Sequence, residues 1–208
     1  MKSLNYLSIG VIAAALSISA CNTAPKSESG SDTKSGTISA EALTVNLDKS
    51  FVSWKGDMLG MYSHSGVINI SDAELSVEDG HVSGGSFTVD MSSMTPTDEA
   101  YNPEEGRTKE RLVGHLSSPD FFDVENHPTS TFRIKSVDGS TVTGDLTIRG
   151  ITHEETVKNV TVTKEGNGYK ITGDLTFDRT KYDVSFKMSV QDMVLSDDIE
   201  LDIELIAS

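Results

Sequence analysis

The chain has a single cysteine, Cys21, in 208 residues. No disulfide can form within it, so the fold must be held by its apolar core. Cations are scarce: 17 Lys and Arg stand against 32 Asp and Glu, a formal charge of −15. No basic cluster interrupts that excess, which argues against nucleic acid as a partner, since such binding rests on Lys and Arg neutralising phosphates. Recognisable catalytic spacing is also missing. There is no H-x-H, no H-E-x-x-H and no cysteine pair for a metal, and no G-x-S-x-G elbow for a hydrolase. The five histidines fall in separate segments, and 32 acids guarantee chance carboxylate pairs. The sequence therefore reads as non-enzymatic, without a metal or cofactor.

Long apolar runs are lacking too. The one extended stretch, residues 7–18, is 12 residues long, short of the roughly 20 that a spanning helix needs and suited to a signal-peptide core behind Lys2. It ends in Ile18, Ser19, Ala20 and Cys21, which resembles a bacterial lipobox. The resemblance implies a signal peptide over residues 1–20, cleavage before Cys21 and lipidation of that thiol. Loss of Lys2 would take the formal charge from −15 to −16. Residues 22–41 are Ser, Thr, Gly, Lys and Glu with almost nothing apolar, a flexible tether with a reach of roughly 25 Å. The expectation is an exported protein anchored by lipid to the bacterial cell envelope, at the periplasmic face of the outer membrane or the cell surface. Asn22 stands where an inner-membrane retention signal would place Asp.

From Ala42 to Ser208 the pattern changes to period two. Leu43, Val45 and Leu47 alternate with polar residues, as do Phe87, Val89 and Met91, and Phe132 with Ile134. Val142, Gly144, Leu146 and Ile148 form another set. Tyr169, Ile171, Leu175 and Phe177 form the next, then Phe186, Met188 and Val190. The last is the most regular: Ile199, Leu201, Ile203 and Leu205 against Asp198, Glu200, Asp202 and Glu204. Such alternation means half-buried strands. About eight or nine runs separated by Gly-containing turns make an antiparallel meander, and closure into a barrel removes its edges. Gly144 and Gly173 fall on apolar positions, where they read as bends that curve the sheet or as space left inside it.

Residues 92–128 break the alternation. Residues 107–116 suit a helix, with Leu112 and Leu116 four apart. "HLSSPDFFDVENHPTSTF", residues 115–132, follows. A connection this long is normally functional or disordered, and its apolar anchors predict a packed one. Phe121 and Phe122 are placed at a barrel rim, flanked by Asp120 and Asp123 and routed by Pro119 and Pro128. They either plug the barrel or line the mouth of a ligand cavity.

That stretch, followed by "GDLTIRGITHEETV", resembles the YceI-like family. The matching residues are His115, Leu116, Asp120, Phe121, Phe122, Asp123, Pro128 and Phe132, then Gly144, Leu146, Thr147 and Gly150. "WKGDMLGMYSHSG", residues 54–66, is similar to the opening of a lipoprotein branch of that family. The resemblance covers about residues 43–208. It implies an all-β fold: an antiparallel eight-stranded lipocalin-like barrel with a long, partly helical loop insertion, holding a polyisoprenoid chain. The chain departs from the family in lacking Asp before "HL", in His153-Glu154 after "RGIT", and in Tyr182-Asp183 where Phe-Gly is usual.

An eight-stranded barrel has room for one small ligand. The candidate ligand-binding residues are Trp54, His64, Phe87, Phe121, Phe122, Phe132, Ile148, Phe177 and Phe186. Trp54 shares a face with Val52, so its indole should point inward and its N–H needs a partner. His64 reads as a hydrogen-bonded histidine of the core or rim. The expected function is transport, storage or sequestration of a polyprenol or a quinone-tail lipid. The alternative is a barrel filled by its own side chains that binds a partner protein.

Overall fold

The structure, a computed structural model, describes residues 40–59, 61–185 and 195–208. The signal segment, Cys21, the tether as far as residue 39, and Phe186 with Met188 and Val190 lie outside the described residues.

The strands are β1 (Glu41–Leu43), β2 (Phe51–Met58), β3 (Tyr62–Glu78), β4 (His81–Asp90), β5 (Thr95–Pro96), β6 (Thr129–Asp138), β7 (Thr141–Ile148), β8 (Ile151–Glu165), β9 (Gly168–Asp178) and β10 (Leu195–Ala207). Among the described residues one α-helix, α1 (Lys109–Ser117), lies between β5 and β6. All pairings are antiparallel, in the order β3-β2-β10-β9-β8-β7-β6-β4, and β4 returns to β3. The sheet is a closed eight-stranded lipocalin-like barrel with a partly helical insertion, as expected. The regular last strand is protected by two neighbours: β10 pairs with β9 from Asp198 to Ala207 and with β2 from Leu195 to Glu204.

The strand glycines meet the bulges. Gly144 pairs with Ile134, where the register of β6 shifts before Ser136. Gly173 lies opposite the shift in β8 between Lys158 and Thr161. Neither leaves empty space: a Cβ on Gly144 would meet the Phe132 ring at 2.5 Å, and one on Gly173 would meet Val157 Cγ1 at 2.8 Å. A bulge beside a glycine is the combination that lets a barrel strand bend.

The first apolar run departs from its alternation. Leu43 and Val45 are buried, but Leu47 begins a 3-10 turn and is 38% exposed. β1 adds to the outer edge of the long β3 at Leu75–Val77, and Val45 bridges to Ala207. Thr44 and Ser208 exchange backbone hydrogen bonds at 2.7 and 3.0 Å. This segment therefore continues the wall below the start of β2 and seals that end. Leu75, Val77, Val82, Val142 and Leu205 are buried there, Leu205 to 1%.

The β2-to-β3 and β7-to-β8 connections, the 91–128 connection and the turn at Arg179–Tyr182 all leave from the opposite end. α1 starts at Thr108, whose hydroxyl accepts from Arg111 N at 3.2 Å, and stops at Ser118 before Pro119. Its apolar face, Leu112 and Leu116, turns toward the barrel.

Candidate functional site: a cavity inside the barrel

The barrel encloses a cavity of about 520 Å³. Alternate positions of each strand supply its wall: Val52, Trp54, Gly56 and Met58 from β2, then Tyr62, His64, Ile68 and Ile70 from β3. Across from them stand the apolar positions of β9 and β10, which the period-two pattern places inward. Of the candidate residues, Trp54, His64, Phe87, Phe121, Phe122, Phe132, Ile148 and Phe177 all line this one cavity. Phe186 lies outside the described residues.

Phe121 is buried, edge-on to Phe122 at 4.9 Å and to His115 at 5.4 Å. The Arg149 guanidinium donates to its carbonyl oxygen and to that of Asp183, at 3.0 Å. The pair is thus a fixed part of the rim, and both rings also face the space inside. Burial pulls the pKa of His115 below its ordinary value, with Asp120 acting weakly against it.

Trp54 has an unusual seat. It pairs with Gly66 on one side and Leu201 on the other. A Cβ on Gly66 would lie 2.5 Å from indole Cζ2 and 2.7 Å from Cε2, so only glycine allows the ring to lie across β3. The partner expected for its N–H is not found: Trp54 Nε1 is buried with no acceptor among the described residues.

Two residues nearer the mouth, on the same face, His64 pairs with Gly56. Its Nδ1 is 3.1 Å from Asp98 Oδ1. Asp98 also accepts from Ser65 N at 3.0 Å, Ala100 N at 2.9 Å and Tyr101 Oη at 2.9 Å. Burial works against its ionised form, but these donors outweigh it and hold its pKa below the usual carboxylate range. Burial beside that charge pushes the Tyr101 phenol well above its ordinary value. The imidazole stacks on Tyr101 at 5.1 Å, and Tyr62 stands edge-on to it at 5.0 Å. Sequence reasoning found His64 but missed Tyr62, Asp98 and Tyr101. Asp98 is one of 32 acids and carries no spacing that marks it.

The turn after β9 forms the other side of the mouth. Arg179, 4% exposed, donates to the carbonyl oxygens of Val184, Ser196 (2.9 Å) and Leu195 (3.4 Å) and to Asp197 Oδ1 (3.0 Å). Tyr182 is fully buried, and its hydroxyl donates to Glu155 Oε1 at 3.2 Å. Asp183 adopts the left-handed conformation (φ 59°) and the turn closes around it. No group of three or more metal-ligating side chains converges among the described residues.

Residues 43–207 match the model of a family described as the YceI-like domain. A UPF0312 protein of Staphylococcus epidermidis is 35% identical over 108 residues, covering 49% of this chain and 63% of that protein. A UPF0312 protein of Staphylococcus aureus is 34% identical over 110 residues with the same coverage. The chain thus spans less than two thirds of the curated relatives it matches. Among solved structures, BcnA of Burkholderia cenocepacia superposes with a TM-score of 0.62 at 23% identity, over 79% of this chain and all of that one. A polyisoprenoid-binding domain from Saccharophagus degradans, implicated in plant cell wall breakdown, gives a TM-score of 0.56 at 9% identity. It covers 82% of this chain and 99% of that chain. These likenesses are of fold.

Proposed function

The chain belongs to the YceI-like family, and from that premise we propose that it is a non-enzymatic carrier or sequestering protein that holds a long isoprenoid lipid, a polyprenol or a quinone tail, inside its barrel. The observation that carries this reading is the cavity of about 520 Å³ walled mainly by aliphatic and aromatic side chains. That volume lies within the range of small-molecule sites, roughly 300–1,000 Å³. A linear branched hydrocarbon is the chemistry that such a wall rewards, at about 25 cal/mol per Å² removed from water less the cost of ordering the chain. The likeness to a domain named for polyisoprenoid binding supports the same ligand class. A hollow barrel favours the carrier over the interaction module, which needs a filled one. Lipidation of Cys21 would hold the protein at the cell envelope while residues 22–41 let the barrel stand away from the membrane.

The test is native mass spectrometry of the protein exported by a bacterial host, with organic extraction and lipid mass analysis of what it carries. A stoichiometric polyprenyl species is expected. A barrel that is empty and also refuses added polyprenols would overturn the reading.

A further inference from the structure

The apolar wall explains the hydrocarbon but not the polar groups that the fold assembles at the mouth. His64 is held on three sides. Asp98 lies behind Nδ1 at 3.1 Å, Tyr101 is stacked on the ring at 5.1 Å, and Tyr62 is edge-on at 5.0 Å. Asp98 is ionised and already accepts from Ser65 N, Ala100 N and Tyr101, so its carboxylate has no proton to give. His64 Nδ1 must therefore carry one. In the neutral ring that leaves Nε2 as a lone-pair acceptor. No described residue hydrogen-bonds to Nε2, and the ring lines the cavity with 20% of its side chain exposed. Two residues deeper along β2, Trp54 Nε1–H is buried with no acceptor among the described residues.

Building on the carrier reading, we propose that His64 is the head-group contact of the barrel, and that the lipid it selects ends in a hydroxyl: an isoprenoid alcohol or the reduced, quinol form of a quinone. A hydroxyl can donate to that imidazole acceptor, which an ether or a bare hydrocarbon end cannot do. A fully ionised phosphate or an oxidised quinone offers acceptors only. Asp98 is the positioning residue, fixing which nitrogen is free. Arg107 and Arg111 also face the cavity, but the first is paired with Glu105 at 2.7 Å and the second donates to Gly106 O at 3.3 Å. Residues 98–111 hold Asp98, Glu99, Glu104, Glu105 and Glu110 against Arg107, Lys109 and Arg111, so the rim is net acidic and a poor seat for an anion.

The experiment loads the full-length delipidated protein with a polyprenol, its methyl ether or its monophosphate, and reads occupancy by native mass spectrometry. The alcohol should exceed the ether by about five- to tenfold, the discrimination of one neutral hydrogen bond. His64→Phe should erase that preference, read as the ratio of alcohol to ether occupancy so that the stability lost with the Asp98 hydrogen bond does not enter the comparison. Asp98→Asn retains the imidazole but frees its tautomer. It should narrow the preference and shift the ¹⁵N resonance of Nε2, which in the wild type should move from pyridine-like toward pyrrole-like when the alcohol is added. Equal binding of alcohol and ether in wild type, or a preference for the phosphate, would overturn the head-group assignment and leave the carrier intact. Failure of all three lipids to bind would overturn both.

Discussion

Gly56 gives the sharpest test of whether the barrel interior is available space. It pairs with Ile199 on one side and His64 on the other and faces the cavity. A Cβ there meets only Ile199 Cδ1, at 3.5 Å, an ordinary contact. In Gly56→Phe the ring would enter the cavity. A space of about 150 Å³ holds a benzene, under a third of the 520 Å³ present. Burying 150–250 Å² of aromatic surface is worth about 4–6 kcal/mol as an upper bound. Replacing a mid-strand glycine adds about 0.5–1 kcal/mol. After side-chain ordering and some strain, a net gain of about 2–4 kcal/mol is expected in the lipid-free protein. That corresponds to a rise in melting temperature of about 5–15 °C for a domain of this size. Polyprenol affinity should fall by at least about tenfold, because the ring takes the volume that the chain needs. The assays are calorimetry and denaturant unfolding of delipidated protein beside lipid titration. A destabilised variant would show that the interior is already filled. A stabilised one that binds lipid as before would show that the lipid sits elsewhere.

Arg179→Met should destabilise by about 3–5 kcal/mol, because it strands the buried Val184 carbonyl and weakens the Leu195 and Ser196 contacts. Denaturant unfolding reads this, and a loss below about 1 kcal/mol would refute the clamp. Asp183→Gly should stabilise by about 0.5–1 kcal/mol, since φ at 59° costs any residue with a Cβ and the ion pair it gives up, Arg149 to Asp183 at 3.9 Å, is weak on the Asp183 side, which is 71% exposed. A destabilised variant would mean that the carboxylate matters more than the backbone. His115, with its folded pKa depressed by burial, binds a proton more readily in the unfolded chain. Its contribution is complete above the unfolded value of about 6.5 and is lost as pH falls through that value toward the folded one. His115→Phe, which keeps the edge-on contact with Phe121, should flatten that part of the stability profile.

The barrel was legible because most strands bury one face against hydrocarbon, and a period of two reports that directly. β10 and β7 are read off residue by residue: Ile199, Leu201, Ile203 and Leu205 inward, then Val142, Gly144, Leu146 and Ile148. β8 was not, for a physical reason. Its first inward positions are His153 and Glu155, whose partners lie 26 or more residues away in the turn after β9. His153 Nε2–H donates to Lys181 O at 3.0 Å, and Glu155 accepts from Tyr182. Tertiary partners let polar residues occupy an inward face, and the alternation disappears. Leu47 fails the other way, being apolar in a run that stops being a strand at residue 43. In the site, bulky apolar positions could be found by face, whereas Asp98 and Tyr101 come from an irregular loop where position carries no periodic signal.

The two ends of the barrel differ, and that difference fixes how a chain can enter. At one end Leu43 and Val45 are buried against Leu75, Val77 and Leu205, and the backbone ladder of Thr44, Asn46, Ile206 and Ser208 crosses beneath them. At the other stand α1, the Phe121–Phe122 pair and the Arg179 turn, with the polar residues of the mouth. A lipid should therefore enter tail first and leave its head beside His64. Affinity should then rise with chain length by about 3–4 kcal/mol per buried isoprene unit at most, at about 0.8 kcal/mol per carbon, and stop rising once the tail meets the sealed end. Titrating farnesol, geranylgeraniol and longer polyprenols into delipidated protein gives the curve. A plateau is expected, and its position measures the usable depth. Affinity that kept climbing with every added unit would mean that the far end opens in solution, and the tail-first argument would fail with it.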